Sequence, residues 1–260
     1  MKSLLESFIV AFSMYSKIPM PHIEWSEKSM KYSMCFFPWI GLVIGGLEYL
    51  WFLVCRSFGA SDLLRSAIAV VLPLLVTGGI HFDGFLDTTD ALSSWRTREE
   101  RLRILKDSHV GAFAVIGSCV FFLIALGFAS EVSGSTVSCL CLMFAISRSY
   151  SAISVVSFPS ANPKGTAAAF GSHSRKKMVW RVMIVYLAVL YICLILIAPV
   201  TGICVIIGSV LSFLIYYYTC MHYFGGMTGD LAGFFVSVAE LLMLILAVVG
   251  SGIGRVWLRG

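Results

Sequence analysis

The 260 residues are 58% hydrophobic and only 13% charged, with a mean hydropathy of +0.90. Soluble domains carry roughly 25% charged residues, so this chain cannot cover a water-facing surface, and the lipid bilayer must be part of its solvent. The net charge of +5 is not laid out as basic runs interleaved with aromatics. That excludes a nucleic-acid partner and leaves the cytoplasmic bias of lysine and arginine in membrane proteins as its source.

In chain order, the apolar run at residues 4–15 is interrupted by Glu6, followed by Lys17 and Pro19, and lacks a small-residue cleavage site. It reads as an interfacial or re-entrant helix rather than a removed signal peptide. Hydropathy then predicts seven spans near 35–55, 64–80, 110–129, 136–158, 182–198, 203–222 and 234–250. No charged residue occurs from 182 to 221. That length crosses twice at about 1.5 Å per residue, with Pro199 and Gly202 marking the turn. The expected fold is therefore an all-α, polytopic membrane bundle of about seven transmembrane helices, with residues 1–260 forming one domain. Most of the eight cysteines (Cys35, Cys119, Cys139, Cys141, Cys193, Cys204) sit in apolar stretches without zinc-ligand spacing, as small packed hydrophobes do.

Segments 1–34, 81–109 and 159–181 carry 4, 5 and 5 lysines or arginines, whereas 130–135 and 199–202 carry none. Seven spans put the three basic segments on one side, and the charge bias makes that side cytoplasmic. Residues 223–233 fall there too, while Arg255 and Arg259 near the C-terminus fall opposite, against the bias.

The chemistry concentrates after the second span, in HFDGFLDTTDALSSWRTREERLRILKDSHVG. Asp83, Asp87 and Asp90 stand at i, i+4 and i+7, on one helical face. Like charges so placed repel, and near lipid they do so at greater cost. A hard cation would hold them: magnesium, manganese or calcium, of which magnesium is usually shared with substrate phosphates. The competing explanation, acidic residues favoured at a helix start, accounts for one aspartate more easily than for three in register. Asp107 and Ser108 could cap the helix near Val110. RTREERLR looks like a solvated amphipathic helix with Glu99 and Glu100 near Arg96 and Arg103.

Glu48, Arg148 and Glu240 lie inside predicted spans, where charge is costly and functional by default; the alternative is that Arg148 pairs with one glutamate. Gly225, Gly226 and Gly229 in GGMTGDLAGFFVSVAELL permit close backbone approach. Asp230 there either opens a helix as a cap or adds a carboxylate to the acidic group. Lys164, Gly165 and Thr166 lack the phosphate-loop pattern. Lys164 and the residues 175–177 nonetheless offer cations to a polyphosphate. Carboxylates, a hard metal and surrounding cations are what phosphoryl transfer requires. No Cys-His or Ser-His pair is spaced to supply a nucleophile, so a hydroxyl acceptor attacks directly, with an aspartate taking its proton.

At these residues the sequence resembles the cobalamin synthase family, the adenosylcobinamide-GDP ribazoletransferases. HFDGFLDTTDAL is similar to its H-x-D-G-x-x-D-T-x-D element, ERLRILKDSHVGAF to its K-D-S element, GGMTGDLAGFFVSVAELL to its G-G-x-T-G-D element, and FSMYSKIPMP to its N-terminal segment. The resemblance implies a magnesium-dependent enzyme of the cell inner membrane, with its active-site loops in the cytoplasm. Such an enzyme transfers the cobinamide phosphate of adenosylcobinamide-GDP to a hydroxyl of α-ribazole or its 5′-phosphate, releasing GMP.

Carried over by position, Asp83, Asp87, Asp90 and Asp107 would be catalytic, with Asp83, Asp87, Asp90 and Asp230 holding the metal. Lys106, His109, Arg148, Lys164, Gly226 and Thr228 would bind substrate. Ala91 departs from the family's usual glycine, and His109 from its usual arginine, which removes a fixed cation. Two rivals stand beside this: a phosphotransferase of the CDP-alcohol type, whose D-G-x-x-D-G-x-x-A-R spacing is not met here, and a cation-coupled transporter, whose repeats are not found.

Overall fold

The computed structural model describes residues 2–257. Twelve α-helices follow in order: α1 Lys2–Tyr15, α2 Glu27–Met30, α3 Ser33–Phe58, α4 Asp62–Thr77, α5 Ile80–Ser93, α6 Arg98–Ile104, α7 Ala112–Ser130, α8 Ser135–Ser157, α9 Thr166–His173, α10 Lys176–Ile197, α11 Pro199–Thr219 and α12 Gly229–Trp257. A π-helical turn, Cys220–Phe224, extends α11. The β pairing among the described residues is one isolated parallel bridge between Ser160 and Met227.

Six helices, α3, α7, α8, α10, α11 with its π turn, and α12, are long and apolar enough to cross a membrane. The pair α4–α5 makes a seventh if its 99° bend lies within one span. This is the expected polytopic all-α bundle. The side chains that would meet lipid are large and apolar, among them Leu75, Leu123 and Leu196. The centre is α8, most of whose residues are buried. Gly41 and Gly45 of α3 lie against the α8 backbone at Phe144 and Cys141, where a Cβ would collide with carbonyl oxygens. Backbone approach of this kind is how helices associate where lipid supplies no hydrophobic drive. Serines within α8 return their hydroxyls to its own carbonyls, Ser149 to Ala145 at 2.7 Å and Ser154 to Ser151 at 2.7 Å, so they need no partner in the bilayer.

Three boundaries differ from the sequence expectation. The second span stops at Thr77 because Gly78 and Gly79 both take positive φ, 67° and 79°, a conformation glycine adopts freely and a right-handed helix cannot continue through. The stretch 81–109, read as a loop carrying one acidic face, folds into two helices, α5 and α6. The last span begins at Gly229 and runs on to Trp257, longer at both ends than 234–250. The N-terminal run forms α1, and its Val10, Ala11 and Phe12 are buried in the protein. Arg255 lies in the last turn of α12, while Arg259 lies outside the described residues.

Candidate active site

The double-glycine bend turns α5 off α4, so that α5 lies outside the six spanning helices and packs across α7 and α12. One face, His81, Gly84, Phe85, Thr88 and Ala91, is buried. The period of 3.6 puts Asp83, Asp87 and Asp90 on the other. Asp83 is exposed and the other two are half-buried. Ala91 is fully buried, so its methyl group is accommodated at the position where the family resemblance expects glycine.

What brings a fourth carboxylate to this face is close helix crossing. A Cβ at Gly84 would meet the Asp230 carbonyl oxygen, and would lie 2.9 Å from the Asp230 Cα. A Cβ at Gly233 would meet the His81 backbone at 2.8 Å, and Phe85 stacks on Phe234 with ring centres 5.8 Å apart. Asp230 therefore opens α12 directly beside α5, close enough for Asp83 to act on it electrostatically. Burial first, then the charges of Asp83, Asp230 and Asp90, pushes the Asp87 carboxyl up to about 6. Among the described residues no lysine, arginine or histidine forms an ion pair with Asp83, Asp87 or Asp230.

Asp90 has a different employment. Its Oδ2 accepts the Gly111 N–H at 2.5 Å and its Oδ1 the Ala114 N–H at 2.9 Å. These are orphan amides at the start of α7, so Asp90 caps that helix from α5. A Cβ at Gly111 would meet this carboxylate, which would have to shift off the amides to make room. Asp107 does not join the cluster. Its Oδ1 accepts from the His109 amide at 3.0 Å and lies 2.7 Å from His109 Nδ1. That histidine contact holds the Asp107 carboxyl below the usual carboxylate range. Lys106 and His109 are exposed on the same loop.

The glycine turn after the π helix is assembled with the loop after α8. Met227 donates its N–H to the Pro159 carbonyl at 2.8 Å, and Ala161 donates to the Met227 carbonyl at 2.9 Å. Gly226 is buried beneath this pairing, where a Cβ would lie 2.6 Å from the Pro159 oxygen. Gly226 thus admits the close approach of residues 159–161. Thr228 Oγ1 accepts the Leu231 N–H at 3.2 Å and lies 3.4 Å from Asp230 Oδ2, capping α12 and steadying Asp230. Exposed Lys164 belongs to the loop that the pairing anchors.

Arg148, expected among the substrate-binding residues, is placed by the structure in a pair inside the bundle. Arg148 is 1% exposed within α8, and its guanidinium meets Glu240 Oε1 at 2.6 Å. The same carboxylate oxygen accepts the Ser147 hydroxyl at 2.8 Å, and Arg148 also donates to the Phe144 carbonyl at 2.9 Å. Arginine and glutamate thus pair inside the bundle, as buried opposite charges do, although the Arg148 Nε is left without a hydrogen-bond partner among the described residues. They line a mostly apolar cavity of about 140 Å³ that also touches Glu48, Phe52, Thr77 and His81.

Two features of the site were not picked out from the sequence. The Lys17 amide donates to the Val76 carbonyl at 2.7 Å, and the Lys17 side chain covers Gly78, so the segment after α1 braces the bend. Gly84 and Gly233 form the α5–α12 crossing; the four-residue spacing of Gly229 and Gly233 was the available signal.

Among the described residues no group of three or more His, Cys, Asp or Glu forms a protein-only metal cage. Magnesium does not need one. It binds through one or two carboxylates and takes its remaining ligands from water and substrate phosphate. Asp83, Asp87 and Asp230, close together and without a cationic partner, fit that mode.

The description "cobalamin-5-phosphate synthase" belongs to the family model that matches residues 7–248. The adenosylcobinamide-GDP ribazoletransferase of Lachnoclostridium phytofermentans is 41% identical over 249 residues, covering 96% of this chain and 95% of that protein. The proteins of the same name from Clostridium botulinum strain Alaska E43 and Desulfitobacterium hafniense are each 33% identical, over 95% and 91% of this chain and 98% and 94% of their own lengths. No solved structure matches. The family model over residues 7–248, with relatives 33–41% identical along nearly the whole length, places the chain: it belongs to the cobalamin-5-phosphate synthase family.

Proposed function

We propose that the chain is an adenosylcobinamide-GDP ribazoletransferase whose reaction centre is the cluster of Asp83, Asp87 and Asp230. The observation that carries this is the glycine-mediated crossing of α5 and α12, which gathers three carboxylates that form no ion pair with a cation among the described residues. Small-molecule substrates are implied: adenosylcobinamide-GDP as donor, and α-ribazole or its 5′-phosphate as acceptor. In the reaction an acceptor hydroxyl attacks the phosphorus that bears cobinamide. The anhydride bond breaks, its electron pair leaves with GMP, and a phosphodiester forms.

Magnesium, bound by two of Asp83, Asp87 and Asp230, would neutralise phosphate oxygens. Asp87, in the middle of the acidic face of α5, is the carboxylate placed to accept the hydroxyl proton when Asp83 and Asp230 hold the metal. Asp90 fixes α5 to α7 and so sets the register of the other two acids on that helix. Thr228 holds Asp230. Lys106 and Lys164, on exposed loops, would draw in the anionic substrates. The site lies on the cytoplasmic face, a placement supported by the basic segments on that side.

The test is GMP release from adenosylcobinamide-GDP and α-ribazole by the full chain in lipid, with and without magnesium, beside Asp87→Asn. Magnesium-dependent GMP and cobalamin product, lost in the variant, is expected. A folded, reconstituted wild type that releases no GMP would overturn the proposal.

A further inference from the structure

The arginines in and just before α6 divide into two sets. Glu100 is engaged in a capping box with Thr97, accepting its N–H at 3.3 Å and donating its own N–H to the Thr97 hydroxyl at 3.4 Å. Arg96 and Arg103 are the cations that act on Glu100. Arg98 and Arg101, three apart and so neighbours on the helix surface, turn instead to the glycine turn beside Asp230. The Arg98 guanidinium lies against Gly225, where a Cβ would come within 2.6 Å of its Nη1 and 2.9 Å of its Cζ. Gly225 has φ 74°, so its place is reserved both by conformation and by the arginine. The Arg101 guanidinium sits 4.8 Å over the Tyr223 ring, and its Nε is buried without a hydrogen-bond partner among the described residues. Neither arginine forms an ion pair among those residues. Neither is among the groups acting on Asp87.

The turn itself cannot grip an anion as a backbone cradle. Gly225 and Gly226 both donate their N–H groups to the Cys220 carbonyl, and Met227 donates to Pro159. The cationic groups beside this turn are the two guanidinia, Arg98 against Gly225 and Arg101 over the Tyr223 ring, neither paired with a carboxylate among the described residues. A planar guanidinium fork matches a phosphate in two parallel hydrogen bonds.

We infer that Arg98 and Arg101, beside the turn that leads into Asp230, bind the nucleoside monophosphate end of the donor diphosphate. This rests on the proposed transfer reaction. As the anhydride P–O bond breaks, its electron pair moves onto the leaving phosphate, and two fixed guanidinia there stabilise the charge where it develops. Carboxylates serve the transferred phosphoryl group and arginines the departing one, so the two ends of one diphosphate are told apart.

The experiment measures GDP binding by calorimetry, without turnover, and steady-state kinetics for both substrates. The full chain in lipid nanodiscs is used as wild type, R98Q, R101Q and R101K. Loss of charge-assisted hydrogen bonds is expected to weaken GDP binding by roughly 10- to 100-fold. Inhibition by product GMP should weaken in step, with the KM for the α-ribazole acceptor unchanged. R101K keeps the charge but not the fork, and should fall between wild type and R101Q. Y223L, which leaves both arginines in place but removes the ring beneath Arg101, should weaken GDP binding less than R101Q. GDP binding within twofold of wild type in R98Q and R101Q, or an acceptor KM that rises as much as the donor's, overturns the inference. A wild type that binds GDP through these arginines yet releases no GMP overturns the transfer reaction and leaves the anion site standing.

Discussion

Replacing Gly84 by alanine should disable the centre without touching a carboxylate. The added Cβ would lie 2.9 Å from the Asp230 Cα and closer still to its carbonyl oxygen, whereas carbon atoms in comfortable contact are about 3.5–4.0 Å apart. Backbone cannot swing aside as a flexible side chain can, so α5 and α12 must separate by roughly 1 Å. Overpacking of this kind costs about 1–3 kcal/mol, partly offset by the better helix propensity of alanine, about 1 kcal/mol. The bundle should therefore fold. The separation moves Asp230 away from Asp83 and Asp87, and a displacement of about 1 Å at a reacting centre can cost on the order of 100-fold in rate. The assay is GMP release by reconstituted G84A protein, with thermal unfolding in detergent measured beside it. Gly46→Ala is the control, since a Cβ there meets nothing within 4 Å. G84A protein with wild-type turnover would refute the claim that this crossing assembles the site. Equal losses in both variants would do the same.

Asp90→Ala should cost about 1 kcal/mol of stability, the usual effect of losing a helix cap, whereas Asp87→Asn should lower activity without that loss; unfolding midpoints and GMP release separate the two. Arg148→Met strands Glu240 in the bilayer and should destabilise by about 3–5 kcal/mol, while the double variant with Glu240→Leu should recover much of it; detergent unfolding of the three proteins is the check. The Asp87 carboxyl, near 6 when folded, lies above its unfolded value of about 3.9. The native state therefore holds more proton between those two pH values, and its stability relative to Asp87→Asn falls as pH rises from about 4 to 6 and levels off above. A metal-free pH series of unfolding midpoints with no difference in slope between the two proteins would contradict that placement of Asp87.

The sequence by itself determined the solvent, the spans and the acidic register. Charge is too sparse for a soluble surface, a spanning helix has a fixed minimum length, and a period of 3.6 puts residues four and seven apart on one face. It also supplied the three elements that identify the family, because these are local strings. Which of the marked residues share a centre was a tertiary matter. Asp230 lies far along the chain from Asp83, and the crossing of α5 and α12, built on Gly84 and Gly233, brings them together. Asp90 looked like a third equivalent ligand, since spacing cannot show that the amides of Gly111 and Ala114 take its oxygens. Gly226 and Thr228 looked poised for a ligand, but the turn they occupy packs on residues 159–161 and caps α12. Sequence reasoning also left Arg148 between two roles, and proximity to Glu240 across 92 residues chose pairing. Spacing reports which face a residue occupies on its own helix, and what that face meets is decided by how the helices cross.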